Sequence, residues 1–153
     1  MNKRNIILIG MPGAGKSSVG VILAKVLGYE FIDTDLVIQH REKRLLREII
    51  ADEGNEGFLA IENEVNATLE ADKSVIAPGG SAIYGKEAME HFKEIGTIVY
   101  LKLSYEDLAK RLGNLKGRGV VLKEGQTLKD LYDERSKLYE QYAEITVDES
   151  GRD

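Results

Sequence analysis

The sequence predicts a three-layer α/β/α domain built on a five-stranded parallel sheet. Short apolar runs alternate with segments of helical period, which is the pattern of βαβ units. Glycine clusters close the first and third runs, where a strand turns into the next element. At 153 residues the chain suits one domain with a real core and is too short for two. Residues 1–153 are therefore read as a single unit.

Asn5–Ile9 is the first strand, apolar throughout, as expected for a strand covered on both faces. Gly10 to Gly15 punctuate it. From Lys16 to Leu27 the apolar positions Val19, Ile22, Leu23, Val26 and Leu27 recur at helical spacing, and Gly28 is the stop signal. Residues 29–32 form a second strand ending at Asp33. Residues 36–71 read as consecutive helical segments, broken near Glu53 to Gly57.

A third strand, 74–77, closes on Pro78-Gly79-Gly80. Residues 87–95 are helical, and 97–103 (TIVYLKL) is the clearest strand in the chain. Ser104 caps the next helix, with Asp107 three residues on, and that helix ends near Leu112. Residues 113–125 are rich in glycine and lysine and lack a period. Thr127 and Asp130 open a last helix running to about Tyr142, and 145–147 is the fifth strand.

Composition narrows the function classes. Hydrophobic residues make up 42% and charged residues 31%, the balance of a soluble globular protein. A net charge of −5 argues against a broad nucleic-acid or membrane surface, though not against one local basic pocket. The absence of cysteine excludes disulfides, thiolate metal sites and cysteine nucleophiles. The apolar run at 6–9 is too short for a signal core or a membrane span, so a cytoplasmic protein is expected.

Gly10-Met-Pro-Gly-Ala-Gly15-Lys16-Ser17 fits G-x-x-x-x-G-K-[S/T], placed between a strand and a helix as its mechanism requires. Glycines let backbone N–H groups turn inward around phosphate oxygens, where side chains would block approach. The following helix offers its positive N-terminal end to the same anion. Gly13, Ala14, Gly15, Lys16, Ser17 and Ser18 are the expected nucleotide contacts. Lys16 reaches the β- and γ-phosphates of ATP, and the Ser17 hydroxyl ligates Mg²⁺.

Phe31-Ile-Asp33-Thr-Asp35 places two carboxylates at the end of the second strand, the edge at which open α/β sheets bind ligands. Asp33 suits the Mg²⁺ shell, directly or through water. Asp35 suits a proton acceptor for an attacking hydroxyl. The plainer alternative is that Asp35 caps the next helix and Asp33 is an ordinary turn residue.

Taken in order, the strand–phosphate loop–helix, FIDTD and the glycine pair resemble the shikimate kinase family over nearly the whole chain. The resemblance implies a P-loop NTPase of the nucleoside-monophosphate-kinase type, with an acceptor-binding helical region at about 34–60 and a lid at about 113–125. It implies γ-phosphoryl transfer from ATP to a hydroxyl of a small carboxylated ring, by a monomer. On this resemblance Asp33 is magnesium-side and Asp35 contacts the acceptor hydroxyl. Gly79 and Gly80 turn backbone N–H groups toward the acceptor, and Arg135 binds its carboxylate. Arg118 is the lid arginine over the phosphates, and Arg111 lies beside the adenine. Lys16, Asp35 and Arg118 would then be the catalytic set.

Three positions depart from the family pattern. Phe58-Leu59-Ala60-Ile61-Glu62 stands where Phe-Arg-x-x-Glu is usual, so Leu59 replaces an arginine that shares the acceptor carboxylate. The turn reads Gly79-Gly80-Ser81 rather than three glycines, and the lid reads Arg118-Gly119-Val120 rather than arginine-proline. Losing one charge-assisted partner removes roughly 1.5–3 kcal/mol, on the order of tenfold to more than a hundredfold in affinity. Arg41, Arg44 and Arg47 lie in the acceptor region and could compensate, or form a solvated helix face.

Two rival readings stay open at the level of sequence. One keeps the chemistry with another hydroxylated metabolite as acceptor; the other is a nucleotide-binding regulatory domain without catalysis. Lys116 and Lys123 share the lid segment with Arg118. His40 and His91 have no partner histidine at ligand spacing, and Tyr132, Tyr139 and Tyr142 read as packing on the last helix.

Overall fold

The computed structural model describes residues 3–113 and 125–149. Five strands, β1 (Asn5–Ile9), β2 (Glu30–Asp33), β3 (Ser74–Ala77), β4 (Gly96–Lys102) and β5 (Ile145–Asp148), form one sheet in the order β2-β3-β1-β4-β5. Every pairing is parallel, so all five strands end at one edge. The central strand β1 is continued by the phosphate loop, β2 by Asp33 and β3 by the Gly79–Gly80 turn. Topology alone brings these three segments to the same side.

Among the described residues six α-helices surround the sheet: α1 (Lys16–Leu27), α2 (Thr34–Glu42), α3 (Leu46–Ala67), α4 (Lys86–Ile95), α5 (Tyr105–Gly113) and α6 (Leu128–Tyr142). Strand residues alternate between two cores. Ile7, Ile9, Ile76, Ile98 and Tyr100 face α4 and α6, meeting Met89, Phe92, Leu131 and Tyr139. Leu8, Val75 and Leu101 face α1. A third cluster joins α2 and α3 through Ile38, Ile49, Phe58 and Val65. At the start of β1, buried Asn5 donates to the carbonyls of Ala71 and Ile95 and accepts from Ser74 N–H. One amide thus pins three strands in register.

The α1 bounds agree with the sequence reading, and Gly28 caps the helix at φ 72. Its buried face agrees only in part: Val19 and Leu23 pack half-buried against the sheet. Ile22 is 64% exposed and Val26 77%, while Gly20 and Ala24 are buried. The helix approaches so closely that a Cβ on Gly20 would lie 2.5 Å from the Phe31 ring. The sheet-facing side therefore combines the small residues Gly20 and Ala24 with Val19 and Leu23.

The helical stretch breaks where expected, at Gly54 (φ 75, ψ 175), within α3. It breaks once more, at Lys43 (φ 56), which ends α2; a lysine in the left-handed region carries no sequence signal. Thr127 and Asp130 make the expected capping box of α6, and Ser104 Oγ accepts from Asp107 N–H. Among the described residues no helix is long and apolar enough to cross a membrane. Lys116, Arg118, Val120 and Lys123 lie outside the described residues.

Candidate active site

The phosphate loop follows from its glycines. Gly13 (φ 91) and Gly15 (φ 84) occupy conformations that L side chains rarely adopt. Gly15 is the N-cap of α1, and no side chain caps the helix there. The first-turn N–H groups are thus left to an anion. Ala14 is buried beneath the loop, whereas Ser17 and Ser18 are exposed on the first turn.

Lys16 Nζ reaches back across the loop and donates to the carbonyls of Gly10 (2.7 Å) and Met11 (3.0 Å). Burial pushes its pKa down to about 8, against the pull of Asp35. Arg111, on α5, donates from Nη1 to the Gly13 carbonyl at 2.8 Å. Leu112 and Leu108 close the same side, the nearest atom lying 3.4 Å from a Cβ placed on Gly13. Arg111 is therefore a brace of the loop in this structure, on the side where the sequence expects the base.

The acidic pair divides its work differently from the plainer sequence alternative. Asp33, not Asp35, is the N-cap of α2: its Oδ1 accepts from Asp35 N–H at 2.9 Å. Asp35 begins the helix with its carboxylate directed elsewhere. Its Oδ1 lies 3.0 Å from the point where a Cβ on Gly79 would sit. Burial, followed by the neighbouring Asp33, raises the Asp35 pKa to about 6. Such a group is ionised at neutral pH yet basic enough to take a proton.

The glycine turn is the meeting point. A Cβ on Gly80 would come within 2.9 Å of Arg135 Nη1 and of Pro12, so a side chain at either glycine would displace the groups around it. Arg135 is 4% exposed, lies 5.6 Å over the Tyr84 ring, and has an Nε without a partner. It stands on the apolar stripe of α6 between Leu131 and Tyr139. Tyr139 donates to the Gly80 carbonyl at 2.7 Å and stacks on Tyr100 at 5.1 Å. Tyr139 and Tyr132, which packs edge-on to Tyr105, act as the packing residues the sequence suggests. Tyr139 also reaches the site.

Leu59 is half-buried and joins the α2–α3 apolar cluster, offering no charge. Of the three arginines that could compensate, two are engaged in ion pairs. Arg44 pairs with Glu42, Asp52 and Glu53, Arg41 pairs with Glu42 and Glu64, and Arg47 is exposed.

Sequence reasoning passed over Glu62. It is 2% exposed, its Oε1 accepts from Ser81 Oγ at 2.7 Å, and its Oε2 faces the Gly79 position at 3.2 Å. Burial raises its pKa to about 7. A signal existed in the pattern: Glu62 occupies the stripe of Phe58 and Val65, where an apolar residue is the norm.

Comparison with known proteins bears on the family and the fold. A profile of the shikimate kinase family matches residues 12–153. Shikimate kinase 2 of Yersinia enterocolitica is 34% identical over 154 residues, spanning 95% of this chain and 86% of that protein. A crystal structure of Acinetobacter baumannii shikimate kinase in complex with shikimate superposes with a TM-score of 0.82 at 35% identity, over 94% of this chain and 82% of that one. The Aquifex aeolicus shikimate kinase gives 0.75 at 33% identity, over 94% and 85%. Parallel sheet, phosphate loop and sequence agree: the chain belongs to the shikimate kinase family.

Proposed function

We propose that this chain transfers the γ-phosphoryl group of ATP to a hydroxyl of shikimate. The observation that carries the reading is that Asp35 and Arg135 flank the Gly79–Gly80 turn, with Pro12 of the phosphate loop against Gly80 and that loop leading into an uncapped helix N-terminus. A donor phosphate and an acidic, hydroxylated acceptor can meet there.

Each group has a part. The loop N–H groups and Lys16 hold the β- and γ-phosphates and offset charge as the phosphoryl group moves. Asp35 orients the acceptor hydroxyl and takes its proton as the new P–O bond forms and ADP leaves. Gly79 and Gly80 let the acceptor lie against backbone, and Arg135 pairs with its carboxylate. Arg118 supplies further positive charge from the lid segment.

Magnesium is the cation the donor set suits. The exposed Ser17 hydroxyl and the Asp33 carboxylate are hard oxygen ligands. Asp33 Oδ1 is held by Asp35 N–H, so a cation would be met by its second oxygen or through water. Bound there, Mg²⁺ would neutralise charge on the phosphates. The protein is further proposed to act as a cytoplasmic monomer, one kinase domain with its acceptor region at about 34–60.

An ADP-release assay with shikimate, sugar acids and amino alcohols tests the reading. Saturable turnover with shikimate is expected. Lys16→Ala should abolish it while leaving the circular dichroism spectrum unchanged, and an undiminished rate in that variant sinks the assignment. Turnover only with another alcohol selects a different acceptor. ATP binding without acceptor-stimulated turnover selects the regulatory domain.

A further inference from the structure

Two of the departures from the family pattern bear on one carboxylate: Ser81 bonds Glu62, and Leu59 lies three residues before Glu62 on α3. We infer that Ser81 is a positioning residue which, by holding Glu62, keeps Arg135 free for the acceptor in a site that lacks a cation at position 59. The inference rests on the proposed acceptor reading.

Positions 59 and 62 are three residues apart on α3 and therefore neighbours on its surface. An arginine at 59 would be within reach of the Glu62 carboxylate. Leucine is not a partner, and a buried carboxyl without one is costly. In this chain the partner is Ser81, one residue past the glycine pair, whose hydroxyl donates to Glu62 Oε1 at 2.7 Å. A third glycine at 81 could not do this.

The bond also fixes where Glu62 points. Its Oε2 is buried without a partner and lies 3.2 Å from the place of a Cβ on Gly79, beside Asp35 Oδ1 at 3.0 Å. Around the next glycine stands Arg135, with its own unpartnered Nε. The two groups stand at adjacent glycines of one turn. A carboxylate and a guanidinium, each with unused capacity, are natural partners. The Ser81 bond is what holds Glu62 back.

Released, Glu62 would turn to Arg135 and occupy the group that the acceptor's carboxylate needs. Losing Ser81 would then act as competitive inhibition from within the site. The donor half, built from the phosphate loop, would be untouched.

The test is steady-state kinetics with shikimate on Ser81→Ala, Ser81→Thr and the double variant Ser81→Ala with Glu62→Gln. Ser81→Ala is expected to raise the acceptor KM about tenfold, the size of one hydrogen bond to a charged group, with the ATP KM unmoved. Ser81→Thr keeps the hydroxyl and should stay near wild type. Adding Glu62→Gln to Ser81→Ala should restore most of the lost affinity, since a neutral amide competes poorly for a guanidinium.

An acceptor KM unchanged in Ser81→Ala, or raised equally in the double variant, overturns the inference. If the wild-type protein fails to turn over shikimate, the functional reading fails on its own. The pair is then judged by thermal denaturation of Ser81→Ala, Glu62→Gln and the double variant. Shifts in midpoint that do not add support the coupling, and additive shifts overturn it.

Discussion

Arg135 and Glu62 are charged residues on stripes of their helices that otherwise bury apolar side chains, and each is nearly inaccessible. Such positions are costly unless a partner or a ligand completes them. For Arg135 the missing partner is taken to be the acceptor carboxylate, with no second arginine at 59 to share it. Arg135→Ala should therefore raise the acceptor KM by roughly tenfold to more than a hundredfold, read under saturating ATP. A change under twofold would place the carboxylate elsewhere. Glu62 makes a separate statement about pH. Burial, with Asp35 also disfavouring its charge and Ser81 and Arg135 opposing, lifts its pKa from 4.5 to about 7. A carboxyl raised in this way holds its proton more tightly in the native state than in the unfolded chain. Its stabilising contribution is complete below about pH 4.5 and is lost as the pH climbs through 7. Denaturant midpoints measured from pH 4.5 to 8 should fall more steeply for the wild type than for Glu62→Gln, by a few kcal/mol at most. Parallel curves would contradict the raised value.

Individual elements were legible in the sequence wherever local chemistry determines them. β1 and α1 could be read to the residue because an apolar run, a glycine loop and Gly28 bracket them, and α6 was announced by Thr127 and Asp130. What failed was the extent of the buried face, since Val19 and Leu23 pack inward and their neighbours do not. Ile22 and Val26 look like core and are exposed, because packing against Phe31 depends on Gly20, a residue that carries no hydrophobic signal. The turn at Lys43 was illegible because an ordinary residue takes the left-handed conformation there, its N–H bonded to the Gln39 carbonyl as a helix cap. Gly54 is the informative contrast. At φ 75 and ψ 175 it sits in a region essentially open to glycine alone, and a Cβ there would meet nothing within 4 Å. Gly54→Ala should cost about 1–3 kcal/mol from backbone strain without a steric clash. Because the bend precedes Phe58 and Glu62, the acceptor KM should rise as well. A variant as stable as the wild type would mean that the bend relaxes freely.

Across the whole molecule the difficulty is sequence distance. The motifs announced the donor half, since Gly10 to Ser17 are contiguous and Asp33 and Asp35 close a strand. The acceptor half is assembled from the first turn of α2, from α3, the turn after β3, and α6, and no local pattern reports that Arg135 meets Gly80. Strand order brings these segments to one edge, and Tyr139 fastens them. Its ring stacks on Tyr100 of β4, its hydroxyl donates to the Gly80 carbonyl, and the same oxygen lies 3.8 Å from the Met11 sulfur in the phosphate loop. One side chain thus touches the donor loop, the acceptor turn and the central sheet. Tyr139→Phe keeps the ring and its stacking but removes the donor from a buried carbonyl, at a cost of about 1–3 kcal/mol. If Tyr139 only packs, the loss will appear in the denaturation midpoint alone. If it also holds the turn in place, the acceptor KM will rise severalfold while the ATP KM changes little, because the loop keeps its own bonds through Lys16 and Arg111. Equal changes in both constants would show instead that the two halves move together, with Tyr139 as their link.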